Sequence, residues 1–119
     1  MLEKFYPGEY LDSTYVIDFD RLYEEGYRGI IFDIDNTLVP HGAPADERAL
    51  ALFEQLHGLG FQTLLLSNNK EPRVKSFAGQ VHSPYIYKAG KPGIKNYNRA
   101  VEEMGLCKDE VLFVGDQLF

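Results

Sequence analysis

The sequence predicts an α/β protein, a three-layer, doubly wound parallel sheet, and three observations carry that expectation. Short apolar runs rich in β-branched and aromatic residues alternate with longer segments whose apolar residues recur at helical spacing. Each run ends abruptly in polar residues, as a strand buried on both faces does. Strands separated by helices need crossover connections, and crossovers make the sheet parallel and cover both its faces.

The elements follow in order. Residues 1–28 read as a lead-in, in which Asp18 can cap a short helix through Phe19, Leu22 and Tyr23 that stops near Gly26. From Gly29 the pattern changes to Ile30-Ile31-Phe32, the first strand. After a loop between Pro40 and Pro44, Asp46 caps a helix with Ala49, Leu52, Phe53 and Leu56 on one face, and Gly58 and Gly60 are available to end it. The run from Phe61 to Leu66 is the second strand, and Asn68-Asn69 form a turn. Pro72 suits the first turn of a helix carrying Val74, Phe77 and Ala78. A short third strand covers Tyr85-Ile86-Tyr87. The next helix opens near Pro92-Gly93, sets Ile94, Tyr97, Val101 and Met104 on one face and ends at Gly105. Val111–Val114 is the fourth strand.

The 119 residues suit one domain, here 1–119, with residues 29–119 as its core region. Apolar residues at 45% and charged residues at 25% are globular values, neither disordered nor membrane-spanning. Eighteen acids against 12 bases give a formal charge of −6, which disfavours non-specific nucleic-acid binding. Any phosphorylated substrate must therefore be drawn in by a local cation. The single cysteine, Cys107, excludes an internal disulfide and a cysteine-based zinc cluster. No secretory signal is visible at the start, so the expectation is a cytoplasmic protein, with peripheral membrane contact left open.

Ligands of open parallel sheets bind beyond the carboxyl ends of the strands. Here strand one is followed by Asp33-Ile34-Asp35-Asn36-Thr37, strand two by Ser67-Asn68-Asn69, strand three by Lys88 and then Lys91-Pro92, and strand four by Gly115-Asp116-Gln117. Phosphoryl transfer needs such a set: carboxylates, a hydroxyl and a cation. Asp33 and Asp35, two apart on an extended segment, point the same way, so that one can attack while the other moves protons. An isolated Asp-x-Asp is ordinarily a polar turn; the three other groups at the same edge argue against that here.

These residues resemble the four motifs of the haloacid dehalogenase (HAD) superfamily, in order: Phe32-Asp33-Ile34-Asp35-Asn36-Thr37-Leu38, Ser67-Asn68-Asn69, Lys91-Pro92 and Gly115-Asp116-Gln117. With the lead-in and the Ile86–Pro92 segment, the chain looks most similar to the YqeG family of subfamily IIIA phosphatases, which is related to the mitochondrial phosphatidylglycerophosphatase. The resemblance implies a Rossmann-like core and a phosphatase that uses Mg²⁺. It implies that Asp33 is the nucleophile, forming an aspartyl-phosphate, and that Asp35 protonates the leaving oxygen and then activates water. Asp33, the Asp35 backbone carbonyl and Asp116 would hold the metal, Lys91 would neutralise the intermediate, and Ser67 would bind a phosphoryl oxygen. The backbone amides of Asn36 and Thr37 would face the phosphate, with Asn68 nearby in the second motif; turn formation explains all three equally well. Mn²⁺ fits the same oxygen ligands.

Transport ATPases of the superfamily carry a threonine where this chain has Asp35; a carboxylate there favours prompt hydrolysis. The 31 residues between Asp35 and Ser67 and the 23 between Ser67 and Lys91 leave no room for a folded cap, which needs on the order of 50 residues. The open site suits a large, macromolecular or membrane-borne phosphoester; the resemblance points to phosphatidylglycerophosphate or another large or lipid phosphate, and the loops do not decide among lipid, nucleotide and sugar phosphates. Rival readings are a signalling receiver domain, whose phosphoacceptor would follow the third strand, and a non-catalytic phospho-ligand-binding or assembly module. The latter draws on the end of the sequence at Phe119, before the family's second motif-four acid and its final strand and helix. With the family's strand order of four-one-two-three, Val111–Val114 would then be an edge open to self-association.

Other residues have plainer readings. Arg73, in the first turn of its helix, can reach a substrate phosphate but reads as a solvated side chain. His41, His57 and His82 read as solvent-facing loop residues, and Cys107 as a small filler after a helix. Tyr6, Tyr10 and Tyr15 read as packing the lead-in onto the sheet.

Overall fold

In the computed structural model, which describes residues 14–87 and 93–115 with the side chains of residues 93 and 94 excepted, four parallel strands lie in the order β3-β2-β1-β4. The strands are β1 (Gly29–Phe32), β2 (Gln62–Leu66), β3 (Tyr85–Ile86) and β4 (Val111–Val114). The helices are α1 (Phe19–Glu24), α2 (Glu47–Leu59), α3 (Glu71–Val81) and α4 (Gly93–Met104). The order is the predicted one read from the opposite edge. Register is set by Phe32, which pairs with Leu65 on one side and Val114 on the other, so the exits of β1, β2 and β4 fall level.

Alternation along the strands divides the core in two. Ile30, Phe32 and Leu65 face one cluster with Phe19 of α1, Leu52, Phe53 and Leu56 of α2, and Val74 and Phe77 of α3. Ile31, Leu64 and Leu66 face the other, against Val101 and Met104 of α4. The result is the three-layer arrangement expected. Phe32 and Phe53 lie 5.2 Å apart between ring centroids at the centre of the larger cluster. Full burial of each such ring stabilises the fold by roughly 1.5–3 kcal/mol.

The helix ends follow the sequence signals. The carboxylate of Asp18 accepts from the Arg21 amide at 3.1 Å, and that of Asp46 from the Ala49 amide at 2.8 Å, caps worth about 1 kcal/mol each. Gly58 stays inside α2; Gly60 ends it with φ 108°, a left-handed conformation that a residue with a Cβ resists. Pro72 sits in the first turn of α3, where its missing N–H costs nothing. Tyr15 packs as predicted, donating its hydroxyl to the Leu38 carbonyl at 2.7 Å, while Tyr6 and Tyr10 lie outside the described residues.

Two readings need correction. Cys107 is exposed, not a packed filler; its amide donates to Glu110 Oε1 at 3.0 Å at the head of a short 3₁₀ turn, Lys108–Glu110, that feeds β4. His57 is not a loop residue: it occupies the last turn of α2, where its Nε2 lies 2.9 Å from Thr63 Oγ1. Among the described residues, no helix is long and apolar enough to cross a membrane.

Candidate active site at the strand exits

Asp33 is the first residue past β1. Its amide donates to the Val114 carbonyl at 3.0 Å, which extends the β1–β4 ladder by one bond and fixes where its side chain starts. Its Oδ1 accepts from the Ile34 amide at 2.8 Å, and the residue is only 7% exposed. A buried carboxylate is costly unless hydrogen-bonded. Gly115, the first residue past β4, passes so close that a Cβ there would stand 2.9 Å from the Asp33 Cβ and 2.8 Å from the Phe113 ring. Only glycine fits that crossing, and it carries the exit of β4 directly onto Asp33.

The chain then makes a tight turn. The amides of Thr37, Leu38 and Val39 all point at the Ile34 carbonyl, at 3.2, 2.9 and 3.4 Å, and the Asn36 amide donates to the Val39 carbonyl at 2.8 Å. Asn36 has φ 62°, a left-handed conformation that asparagine tolerates better than most residues. The amides of Asn36 and Thr37 thus both make hydrogen bonds within the turn. The turn swings Asp35 back beside the exit of β2.

Asp35 is held by three donors. Its Oδ1 accepts from the Gly42 amide at 2.8 Å and from Arg73 Nη2 at 2.9 Å, and its Oδ2 accepts from Asn69 Nδ2 at 3.3 Å. Burial alone would raise its pKa, but the Gly42 amide, the Arg73 guanidinium and the Asn69 amide together outweigh it and hold the carboxyl below its ordinary value. His41 is distant by comparison, with Nδ1 at 4.0 Å and a largely exposed ring.

The exit of β2 supplies the other side. Ser67 is buried, and its Oγ accepts from the Asn69 amide at 3.1 Å, a local turn that aims the Asn69 side chain at Asp35. The Lys70 amide donates to Asn69 Oδ1 at 2.9 Å, which identifies the atom facing Asp35 as the amide nitrogen. Asn68 is exposed at the tip of the turn.

Gly115 is therefore set against Asp33, and Ser67 is linked to Asp35 through Asn69. Lys88, Lys91 and Asp116 lie outside the described residues. The solvated reading of Arg73 is overturned: its side chain is 17% exposed and paired with Asp35. Its position one turn before Phe77 puts it at the border of the buried face of α3, a signal that marks it as half-buried. Asn69, read only as a turn former, is the other contact that sequence reasoning missed.

Two buried side-chain polar atoms lack a partner among the described residues, Thr37 Oγ1 and Arg73 Nε. One is two residues from Asp35 and the other is on its ion-pair partner. Such orphans are uncommon in folded proteins and concentrate where function outweighs stability. As to a metal, no group of three or more His, Cys, Asp or Glu is gathered among the described residues. The donor chemistry nevertheless fits Mg²⁺, which takes hard oxygen ligands and is commonly held by one or two carboxylates and water: Asp33 offers a carboxylate at the meeting of β1 and β4.

Comparison with known proteins bears on the family and the fold. A family model described as haloacid dehalogenase-like hydrolase matches residues 42–119. The chain is 42% identical over 120 residues to "Probable phosphatase YqeG" of Bacillus subtilis, covering 99% of this chain and 70% of that protein. A crystal structure of a hypothetical protein from Xanthomonas campestris superposes with a TM-score of 0.61 at 17% identity, over 83% of this chain and 61% of that one, so the likeness speaks for the fold alone. With the strand order, the carboxylates at the exit of β1 and these matches in hand, the chain belongs to the haloacid dehalogenase-like hydrolase family.

Proposed function

We propose that this protein is a Mg²⁺-dependent phosphatase that hydrolyses a phosphomonoester through an aspartyl-phosphate on Asp33. The observation that carries the reading is the convergence of three strand exits on two carboxylates, with Asp33 beneath Gly115 and Asp35 tied to the exit of β2 through Asn69. The name of the Bacillus relative supports it.

Asp33 attacks phosphorus as the nucleophile, forming the acyl-phosphate as the ester oxygen departs with a proton from Asp35. Asp35, now a carboxylate, takes a proton from water, which attacks phosphorus, frees phosphate and restores Asp33. Ser67 accepts a hydrogen bond from the Asn69 amide, and a hydroxyl that accepts there keeps its proton to donate to a phosphoryl oxygen. Lys91 offsets the phosphoryl charge. Asp33, the Asp35 carbonyl and Asp116 would hold Mg²⁺, whose contribution is to neutralise charge on the transferring group.

The substrate we favour is a large or lipid phosphate such as phosphatidylglycerophosphate. Residues 36–66 hold only a turn, a loop, α2 and β2, which leaves no cap between Asp35 and Ser67. A cytoplasmic protein working at the membrane surface accords with that substrate. Self-association through Val111–Val114 is a further element of the proposal, since β4 is an outer strand of the described sheet. It predicts a dimer in sedimentation at tens of micromolar; a monomer there removes it.

The test of the activity is hydrolysis of p-nitrophenyl phosphate and of phosphatidylglycerophosphate in mixed micelles, with and without Mg²⁺. The proposal expects Mg²⁺-dependent turnover that Asp33→Asn abolishes. Turnover unchanged in that variant overturns it.

A further inference from the structure

We infer that Arg73 is a positioning residue for proton transfer, fixing which oxygen of Asp35 faces the reacting ester; the inference rests on the proton-transfer role proposed for Asp35. The two carboxylate oxygens are not equivalent. Oδ1 takes both short bonds, from Arg73 Nη2 at 2.9 Å and from the Gly42 amide at 2.8 Å. Oδ2 takes only Asn69 Nδ2 at 3.3 Å. An oxygen that already accepts two strong bonds, one of them charge-assisted, is a poor seat for a proton. When Asp35 carries the proton it delivers, that proton therefore sits on Oδ2, and the Arg73 and Gly42 contacts keep the carboxyl from rotating its two oxygens past each other.

Arg73 is itself held for this task. It stands in the first turn of α3, its guanidinium lies 5.6 Å from the centre of the Phe77 ring one turn on, and its side chain is mostly buried. Its Nε has no partner among the described residues, while its Nη2 pairs with Asp35 Oδ1. A planar, always-charged fork in a fixed place orients a carboxylate in a way that a mobile lysine ammonium does not. Asn69 completes the arrangement from the β2 side, its own amide orientation set by the Lys70 N–H.

Orientation of a proton donor matters in proportion to how badly the leaving group needs a proton. A nitrophenolate departs without one; an alkoxide does not. The experiment measures kcat/KM of the whole chain with Mg²⁺ for p-nitrophenyl phosphate and for a simple alkyl phosphate, glycerol 3-phosphate, in wild type, Arg73→Met, Arg73→Lys and Asn69→Ala. The parameter kcat/KM reports the step in which the ester bond breaks, even where later hydrolysis limits kcat. Arg73→Met is expected to lower both values and to raise the aryl-to-alkyl ratio about tenfold or more. Arg73→Lys should recover part of that ratio, and Asn69→Ala should raise it in the same direction.

An unchanged ratio in Arg73→Met and Asn69→Ala, with both substrates losing equally, overturns the inference and makes these contacts structural. If Arg73→Met does not fold, as circular dichroism would show, the ratio in Arg73→Lys and Asn69→Ala decides alone. Wild-type protein that hydrolyses neither ester overturns the phosphatase reading, and this inference with it. A wild type active on both, with unselective variants, overturns only the role of Arg73.

Discussion

Strand β2 carries a polar cluster at each end, and the two are built on opposite principles. At its carboxyl end, Ser67 bonds Asn69, which reaches Asp35 and through it Arg73, a group that contains a half-buried ion pair and, within two residues, both of the orphaned polar atoms among the described residues. At its amino end, Thr63 Oγ1 lies 2.8 Å from Ser83 Oγ and 2.9 Å from His57 Nε2, and Ser83 Oγ donates onward to the Pro84 carbonyl at 3.1 Å. These are small groups with every hydroxyl partnered. The amino-end chain ties β2, the approach to β3 and α2 together. It does not make a nucleophile, since Thr63 stands between the serine and the imidazole and no carboxylate among the described residues bonds the ring. The carboxyl end accepts imperfect polar satisfaction, which is affordable in energy only where the groups have chemistry to do.

That contrast predicts that substitutions at the two ends separate activity from stability. The largest effect belongs to Asp33→Asn, expected to lower kcat by at least about 10³-fold with little change in thermal midpoint. Asp35→Asn follows, with a loss of roughly 10²–10⁴-fold in steady-state assays. Gly115→Ala affects both properties, because the new methyl meets Asp33 and the Phe113 ring below 3.0 Å; chemical denaturation should show about 1–3 kcal/mol lost, alongside reduced turnover. At the amino end, Thr63→Val should cost about 1–2 kcal/mol by the same measurement and leave kcat/KM unaltered. A Thr63→Val variant that loses activity while keeping its stability would erase the distinction between the two ends.

The smallest effect is a pH dependence. Burial pushes the His57 pKa down from 6.5, and the nearby His82 pushes it further the same way, so the folded state favours the neutral ring. Stability from this group is fully present above the ordinary value of 6.5 and is lost as pH falls from there through the lowered folded value. Thermal melts below pH 6.5 should fall less steeply in His57→Gln than in wild type. Parallel slopes would remove His57 from the acid response.

Most of the fold was legible because its signals are local. Asp18 and Asp46 cap where they stand, Pro72 opens α3, Gly60 closes α2, and the first, second and fourth apolar runs end where their strands end, while the third strand stops at Ile86, one residue short of Tyr87. The carboxylates were legible for the same reason: a strand exit in a parallel sheet is a known place, and Asp33 and Asp35 occupy it. The partners were not. Arg73 and Asp35 are 38 residues apart, and their pairing depends on how far α3 reaches over the β1 exit, which no local pattern states. His57 and Thr63 meet because a helix end folds back on the next strand, and sequence spacing alone does not tell a helix end from a loop. Lys91 and Asp116, named from the motifs, lie outside the described residues, so their expected roles remain with the proposal.

The most direct test of the central claim is chemical trapping of Asp33. Protein turning over p-nitrophenyl phosphate in Mg²⁺ is quenched with borohydride, which reduces an acyl-phosphate to the alcohol, and peptides are read by mass spectrometry. Homoserine in place of Asp33, seen only when substrate is present, is the predicted result. Active enzyme with Asp33 unmodified, or with the reduction at another carboxylate, would contradict it.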